Sequence, residues 1–266
     1  MYEHRQCPYN RRVKHSIPTR RENELVADLT THRVLHRAMC VDCNRLTNLT
    51  AALADGTDHM AVESERSIAV RDYLARVLAV IRSHHEAEEK ALWPVIEAAA
   101  GEVIGQAMLA KHTADHHRLG HLLDQAQALT DQLAAGLTYR RWAGKLSAEL
   151  RALSRLLEWH VAEEQRQVFP LIVCHVRVDD YAWVFPQCRF LFPSALLPFT
   201  VPWIAHHAAP DELRRMLTET WPGMRVVLQI FADRFATQHR LVFGTDRQDP
   251  DQKWVALTHA QPGKTR

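Results

Sequence analysis

The sequence is poor in glycine, and its positive and negative charges nearly balance. Only 9 of the 266 residues are glycine and 47% are hydrophobic, which favours a helical globular protein with a substantial core. Five cysteines are an odd number, and the basic N-terminus lacks the apolar stretch of a secretory signal. We therefore expect a reducing, cytoplasmic environment rather than a disulfide scaffold. The net charge of +2 gives no reason to expect a nucleic-acid partner.

Charged residues are missing from one long stretch near the C-terminus. Residues 190–210 contain no aspartate, glutamate, lysine or arginine, so a membrane span has to be considered. The same stretch contains four prolines, and each of them removes a helical hydrogen bond. We therefore expect no membrane span. The stretch should instead pack on other helices of the chain or on a partner that the sequence does not identify.

Hydrophobic periodicity indicates helix almost continuously from residue 22 to about residue 173. Four long helices are predicted, roughly at 22–53, 64–99, 102–135 and 138–174. The breaks between them are short, and short connections make neighbouring helices antiparallel. The predicted fold is therefore all-α, an up-down-up-down four-helix bundle.

The rest of the chain is divided around this bundle. We expect a flexible basic arm at 1–21 and the bundle at 22–175. A C-terminal helical extension should follow at 176–245, and a polar tail at 246–266. Within the extension, PDELRRMLTETWPG and MRVVLQIFADRF have the pattern of two further helices.

Histidine is the residue that the sequence has in excess, with 17 in the chain. Helix two contains HHEAEEKALWP, which begins at His84, and helix four contains HVAEEQRQVFP, which begins at His160. In each segment a histidine and a glutamate four residues later, Glu88 or Glu164, interrupt the apolar stripe that faces the core. The two segments align at a constant offset, which indicates a repeated helical hairpin.

Six histidines and two glutamates are expected on the inward stripes of the four helices. They are His32, His36, His84, His112, His116, His160, Glu88 and Glu164. Burial of a carboxylate without a partner is costly. A pair of divalent cations would neutralise the carboxylates and use the imidazoles as lone-pair donors. A buried polar network without metal is the alternative.

Other polar residues near these positions are expected to face solvent. They are His85, Glu86, Glu89, His117, Glu158 and Glu163. A different register of helix two, with His85 inward, fits Leu78 and Ile81 nearly as well. The alignment with His160 favours His84.

Taken in order, these motifs resemble the hemerythrin-like, HHE cation-binding family. H-x-x-x-E followed by W-P lies on helix two, H-x-x-x-H on helix three, H-x-x-x-E followed by F-P on helix four, and THRVLHRAM on helix one. The resemblance covers about residues 22–174, and the region after it is similar to C-terminal extensions of actinobacterial members. It implies a non-heme di-iron centre, in which two Fe ions are bridged by two carboxylates and completed by five histidines.

On this resemblance the metal ligands are His32, His84, Glu88, His112, His116, His160 and Glu164. His36, one helical turn after His32, is the alternative ligand on helix one. Oxygen-carrying members place the last carboxylate five residues after its histidine, where this chain has Gln165. Glu164 follows the pattern of relatives that do not carry oxygen, which argues against reversible oxygen transport.

The resemblance implies a protein that binds or senses dioxygen, nitric oxide or peroxide at an open iron position. The alternatives are a di-iron enzyme that decomposes peroxide or reduces nitric oxide, and a protein that stores and donates iron. No flavin or nicotinamide motif is present in the sequence, which weighs against a self-sufficient reductase. Peroxide disproportionation needs no external reductant and is compatible with this absence.

Overall fold

The computed structural model describes residues 17–58, 65–132, 139–219 and 223–244, and within these ranges every regular element is helical. Nine α-helices lie in the described ranges: α1 Thr30–Asp55, α2 Glu65–Ala87, α3 Trp93–Ala100, α4 Glu102–Gln132, α5 Tyr139–His175, α6 Val178–Leu191, α7 Leu197–His207, α8 Pro210–Glu219 and α9 Gly223–Phe243. A π-helical turn, Glu88–Leu92, joins α2 to α3, and a 3-10 turn, Ser194–Leu196, precedes α7. The all-α prediction is confirmed, with additional helices after the four long ones.

The first long helix begins at Thr30, so the prediction that it starts near residue 22 was wrong. The preceding segment uses its polar groups to cap other helices instead. The backbone N–H of Arg20 donates to the carbonyl of His175 at 2.8 Å, and its Nε donates to that of Val173 at 2.8 Å. Thr19 donates to the carbonyl of Ala99 at 2.7 Å. These carbonyls belong to last turns, where no intrahelical donor is available.

Only the last five residues of the predicted basic arm, 17–21, belong to the described part of the chain. Residues 1–16 and the predicted polar tail, 246–266, lie outside the described ranges. Leu25, inside the predicted first helix, is 81% exposed because it precedes the observed one.

The described chain separates into two compact units. The first unit comprises the described residues within 17–29, 82–120 and 156–193, and the second comprises those within 30–81, 121–155 and 194–244. Helices α2, α4 and α5 contribute residues to both units, whereas α1 and α7 to α9 belong to the second.

The core of the first unit surrounds the two aromatic residues that precede the aligned prolines. Trp93 and Phe169 are 5% and 2% exposed, and they pack in one cluster with Ile96, Leu109 and Ile172. Helix α6 packs against the π-helical turn in the same unit. The W-P and F-P motifs therefore supply core residues directly after the predicted ligand positions.

In the second unit, α7 is the apolar, proline-rich segment whose packing was expected. Its residues from Phe199 to Ala205 are buried, and the helix packs against α1 and α9. Arg37 of α1 donates to the carbonyl of His207 at 2.9 Å, and Arg66 of α2 donates to that of Leu241 at 3.1 Å. Within the described ranges, no helix is long and apolar enough to cross a membrane.

A buried carboxylate links three helices of this second unit. Asp42 of α1 is fully buried and accepts hydrogen bonds from Tyr73 of α2 at 2.5 Å and from the indole N–H of Trp203 at 2.7 Å. His207 Nε2 lies 3.3 Å from its other oxygen. Burial by itself would raise the pKa of Asp42, but the interactions with His207, Tyr73 and Trp203 lower it to about 2.

Candidate metal centre

Five of the predicted ligands lie together in the first unit, on α2, the π-helical turn, α4 and α5. They are His84, Glu88, His116, His160 and Glu164, and none is more than 6% exposed. Their positions on the inward stripes were predicted from periodicity. Burial of both glutamates agrees with that prediction. Because a buried carboxylate is costly to ionise, its charge has to be compensated by a neighbouring group or a cation.

The potential ligand atoms form two sets that share one residue. In the first set, one ligand atom each from His84, Glu88 and Glu164 lie within 4.8 Å of one another. In the second, those of His85, Glu88, His116 and His160 do so. Glu88 therefore lies where one carboxylate could contact two cations.

Direct distances show how closely the nitrogens and oxygens converge. His84 Nε2 lies 3.0 Å from Glu88 Oε1, and His116 Nε2 lies 3.5 Å from Glu88 Oε2. The Nε2 atoms of His116 and His160 are 3.1 Å apart. His160 Nε2 is 3.6 Å from Glu164 Oε2. A cation between these atoms could receive several lone pairs at once.

The pKa shifts of the buried glutamate and histidine favour a cation at this site. Burial, followed by the neighbouring charge of Glu88, raises the pKa of Glu164 well above its ordinary value. Burial and the neighbouring His116 lower the pKa of His160 to about 3. The imidazole is thus held in the neutral form that binds metals, and a cation would allow both glutamates to ionise. The donor set therefore fits a metal ion.

His85 is the residue that periodicity misassigned. It was expected to face solvent, but it is 5% exposed and its ring stacks on His116 at 4.3 Å. Burial lowers its pKa well below the ordinary value, with His116 contributing. Its Nε2 has no hydrogen-bond partner within the described residues. The sequence did contain a sign of this, because the alternative register of helix two runs through Leu78 and Ile81. Both of these residues are buried as well.

His112 is buried, but its nitrogens belong to neither of the two sets. Its ring lies 5.4 Å from that of His160, centroid to centroid. The two α1 histidines lie in the second unit. There His36 is fully buried, His32 is partly exposed, and their rings are 4.5 Å apart.

The remaining residues that were expected outside the site differ from one another. Glu86, His117 and Glu158 are exposed, as predicted. Glu163 is partly exposed and binds Arg166 at 2.8 Å. Glu89 is also partly exposed, but its carboxylate contacts His116 Nδ1 at 2.8 Å. It is the one member of this group in direct contact with a predicted ligand among the contacts described.

The π-helical turn begins at Glu88 and ends two residues before Pro94. Pro94 has no N–H and cannot donate to the carbonyl four residues earlier. The N–H of Trp93 bonds the carbonyl of Glu88, five residues back. Wide turns of this kind are frequent at functional sites. Here the turn begins at the glutamate that the two ligand sets share.

Comparisons with known proteins agree with a cation site. The family model described as the hemerythrin HHE cation binding domain matches residues 28–172, more than half of the chain. The chain is 22% identical to the zinc finger protein BRUTUS of Arabidopsis thaliana over 210 residues, which are 78% of this chain and 16% of that protein. It thus spans a small part of that relative's length. No solved structure matches the chain significantly. The family description and the buried ligand sets together indicate a cation-binding centre.

Proposed function

The chain belongs to the hemerythrin HHE cation-binding family, and we propose that its centre holds two iron ions and binds or senses dioxygen, nitric oxide or peroxide. The observation that carries this proposal is the position of Glu88 in two separate ligand sets. One carboxylate between two cations offsets their mutual repulsion and fixes their spacing. A single-metal site would need only one of the sets.

The first iron would be held by His84, Glu88 and Glu164, and the second by His85, Glu88, His116 and His160. The sequence pattern adds His32 of helix one, with His36 as its alternative, and His112 of helix three. Imidazole and carboxylate groups together are suitable ligands for iron.

Iron bound here would supply an open coordination position and a one-electron redox change. The chain's own residues would set the conditions for it. The imidazoles donate neutral lone pairs, the two carboxylates neutralise the cations, and the apolar neighbours limit access of water. Leu119 follows His116 by one turn, Leu157 precedes His160 by one turn, and both are fully buried. A dry surrounding of this kind tunes the redox potential of a metal site.

The test is metal analysis and a visible spectrum of protein produced with ample iron. We expect about two irons per chain, as implied by the two sets, with near-ultraviolet absorption that changes when oxygen, nitric oxide or peroxide is added. One zinc ion, or no metal, after iron-rich production would contradict the proposal. Peroxide consumption far beyond the amount of protein would instead favour a di-iron enzyme.

A further inference from the structure

The two nitrogens of His116 contact two consecutive glutamates. Nε2 lies 3.5 Å from Glu88 Oε2 and 3.1 Å from His160 Nε2, within the second ligand set. Nδ1 lies 2.8 Å from Glu89 Oε1. Glu88 belongs to both ligand sets and Glu89 to neither. The two glutamates therefore contact His116 in different structural roles.

The bonding capacity of these groups determines where the proton of His116 lies. An ionised carboxylate can only accept a hydrogen bond, so Nδ1 must be the donor in its contact with Glu89. A neutral imidazole carries one proton, and the other nitrogen then presents a lone pair. The Glu89 contact therefore leaves Nε2 of His116 as the lone-pair donor toward the ligand set.

Stacking fixes the plane of the His116 ring but not its orientation within that plane. The rings of His85 and Trp93 stack on it at 4.3 Å and 5.8 Å, with interplanar angles of 24° and 18°. A half-turn of the imidazole about its Cβ–Cγ bond would keep the plane and exchange nitrogen and carbon positions without disturbing either stack. The hydrogen bond from Nδ1 to Glu89 distinguishes the two orientations, because a ring carbon cannot donate comparably.

Glu89 has its position because it is the second residue of the π-helical turn. The turn begins at Glu88, which is 3% exposed, whereas the side chain of Glu89 is 33% exposed. Two adjacent glutamates thus contact one histidine from the buried side and from the partly exposed side. An ordinary surface pair looks different: Glu86 and Lys90 are both about half exposed and contact each other at 2.9 Å.

We propose that Glu89 is a positioning residue, which holds the proton of His116 on Nδ1 and directs Nε2 at the metal. The inference rests on the proposed function in so far as a metal binds there. Carboxylates that accept from the second nitrogen of a ligating histidine fix its tautomer and raise its basicity. Their removal typically weakens metal binding about 10- to 100-fold.

The experiment compares Glu89→Ala, Glu89→Gln and the control Glu86→Ala with the unchanged protein. Histidine nitrogens are observed by nitrogen-15 NMR in metal-free and zinc-substituted protein, and iron affinity is measured against a chelator. In Glu89→Ala we expect mixed tautomers of metal-free His116, faster exchange of its N–H, and iron affinity about 10- to 100-fold lower. Glu89→Gln keeps an acceptor oxygen and should restore most of both properties. Glu86→Ala should match the unchanged protein.

An unchanged His116 tautomer and N–H exchange rate in folded Glu89→Ala would overturn the proposal. So would an equal loss of affinity in Glu86→Ala. If the unchanged protein bound no iron, the proposed function would fail, and the metal-free tautomer measurement would still decide the role of Glu89. If Glu89→Ala failed to fold, Glu89→Leu, which fills the same space without an acceptor oxygen, would take its place with the same expected results.

Discussion

Two fully buried carboxylates of this chain, Asp42 in the second unit and Glu164 in the first, have pKa values shifted in opposite directions. Asp42 accepts from Tyr73 and Trp203 and faces His207, so its charge is stabilised by the chain itself. The neighbour that acts most on Glu164 is another carboxylate, Glu88. Burial is common to both, and the sign of the shift comes from the groups around each carboxylate.

The difference separates a polar cluster with a structural role from one that is a candidate for metal binding. The Asp42 cluster contains donors for its charge and links α1, α2 and α7. The cluster of Glu88 and Glu164 contains lone pairs and negative charge, and a bound cation would complete it. Predictions follow from treating one cluster as structural and the other as metal-binding.

Loss of the shared carboxylate should have the largest effect on metal content. Glu88→Ala removes the one residue common to both ligand sets, so bound iron should fall from about two per chain to almost none. Elemental analysis of purified protein measures this directly. Glu86→Ala, two residues earlier and exposed, is the matched control and should retain its iron. Full iron content in Glu88→Ala would exclude a bridge at this position.

Loss of the other buried carboxylate should reduce stability and leave metal content intact. Asp42→Ala leaves the donors of Tyr73 and Trp203 buried without their acceptor, at a cost of about 3–5 kcal/mol in unfolding free energy. Urea unfolding measures the loss, and Asp42→Asn, which keeps one acceptor oxygen, should lose less. If folded Asp42→Ala protein lost iron as Glu88→Ala does, the contrast between the two clusters would be wrong.

His85 tests how the second ligand set is composed. His85→Ala removes one of its three histidines, so we expect the loss of about one iron per chain, with the remaining iron bound by the first set. His117→Ala removes an exposed histidine from the neighbouring helix and should change nothing. If His85→Ala retained both irons, His85 would not be a ligand. His112 would then be the ligand in its place, as the family pattern implies.

Acid should separate the two clusters further. The His160 imidazole stays neutral in the fold down to about pH 3, whereas an unfolded histidine takes up a proton below about 6.5. Its contribution to stability is therefore present above about pH 6.5 and is lost as the pH falls. In metal-free protein the contribution of Glu164 to stability has the opposite pH dependence. Its pKa is raised in the fold, so this contribution is lost as the pH rises.

Metal binding needs the neutral imidazole and the ionised carboxylate together, so it is strongest at neutral pH. The difference in melting temperature between iron-loaded and metal-free protein should therefore shrink between about pH 7 and pH 5. The pKa of Asp42 is about 2, so the destabilisation caused by Asp42→Ala should stay constant over that range. A constant difference between loaded and metal-free protein would show that metal binding and folding are not coupled.

The smallest difference is expected within helix one. The family pattern predicts that His32→Ala costs more iron than His36→Ala. His36 is fully buried, so its replacement should also lower stability, whereas replacement of the partly exposed His32 should not. Iron content and melting temperature of the two variants separate these effects. Greater iron loss in His36→Ala would make His36 the ligand.

Periodicity predicted the helical class and the inward position of His84, Glu88, His160 and Glu164, because one regular stripe determines which side chains are buried. It failed at His85, since α2 is buried over an arc wide enough for two stripes. The contact between Glu89 and His116 depends on a π-helical turn, which a regular helical repeat cannot represent. The Asp42 cluster joins residues 31 and 161 positions apart, and no local pattern relates such positions.

The contacts of Arg20 and Thr19 tie the stretch before α1 to the ends of α3 and α5. The family match starts at residue 28, after both of these residues. A fragment that began at residue 28 and kept the end of α5 would expose the carbonyls of Ala99, Val173 and His175 at the ends of α3 and α5. Fraying from those ends would proceed toward the candidate ligands Glu88 and Glu164, each about three turns away. The stretch before the first helix thus caps the ends of α3 and α5. A fragment prepared for expression should include it.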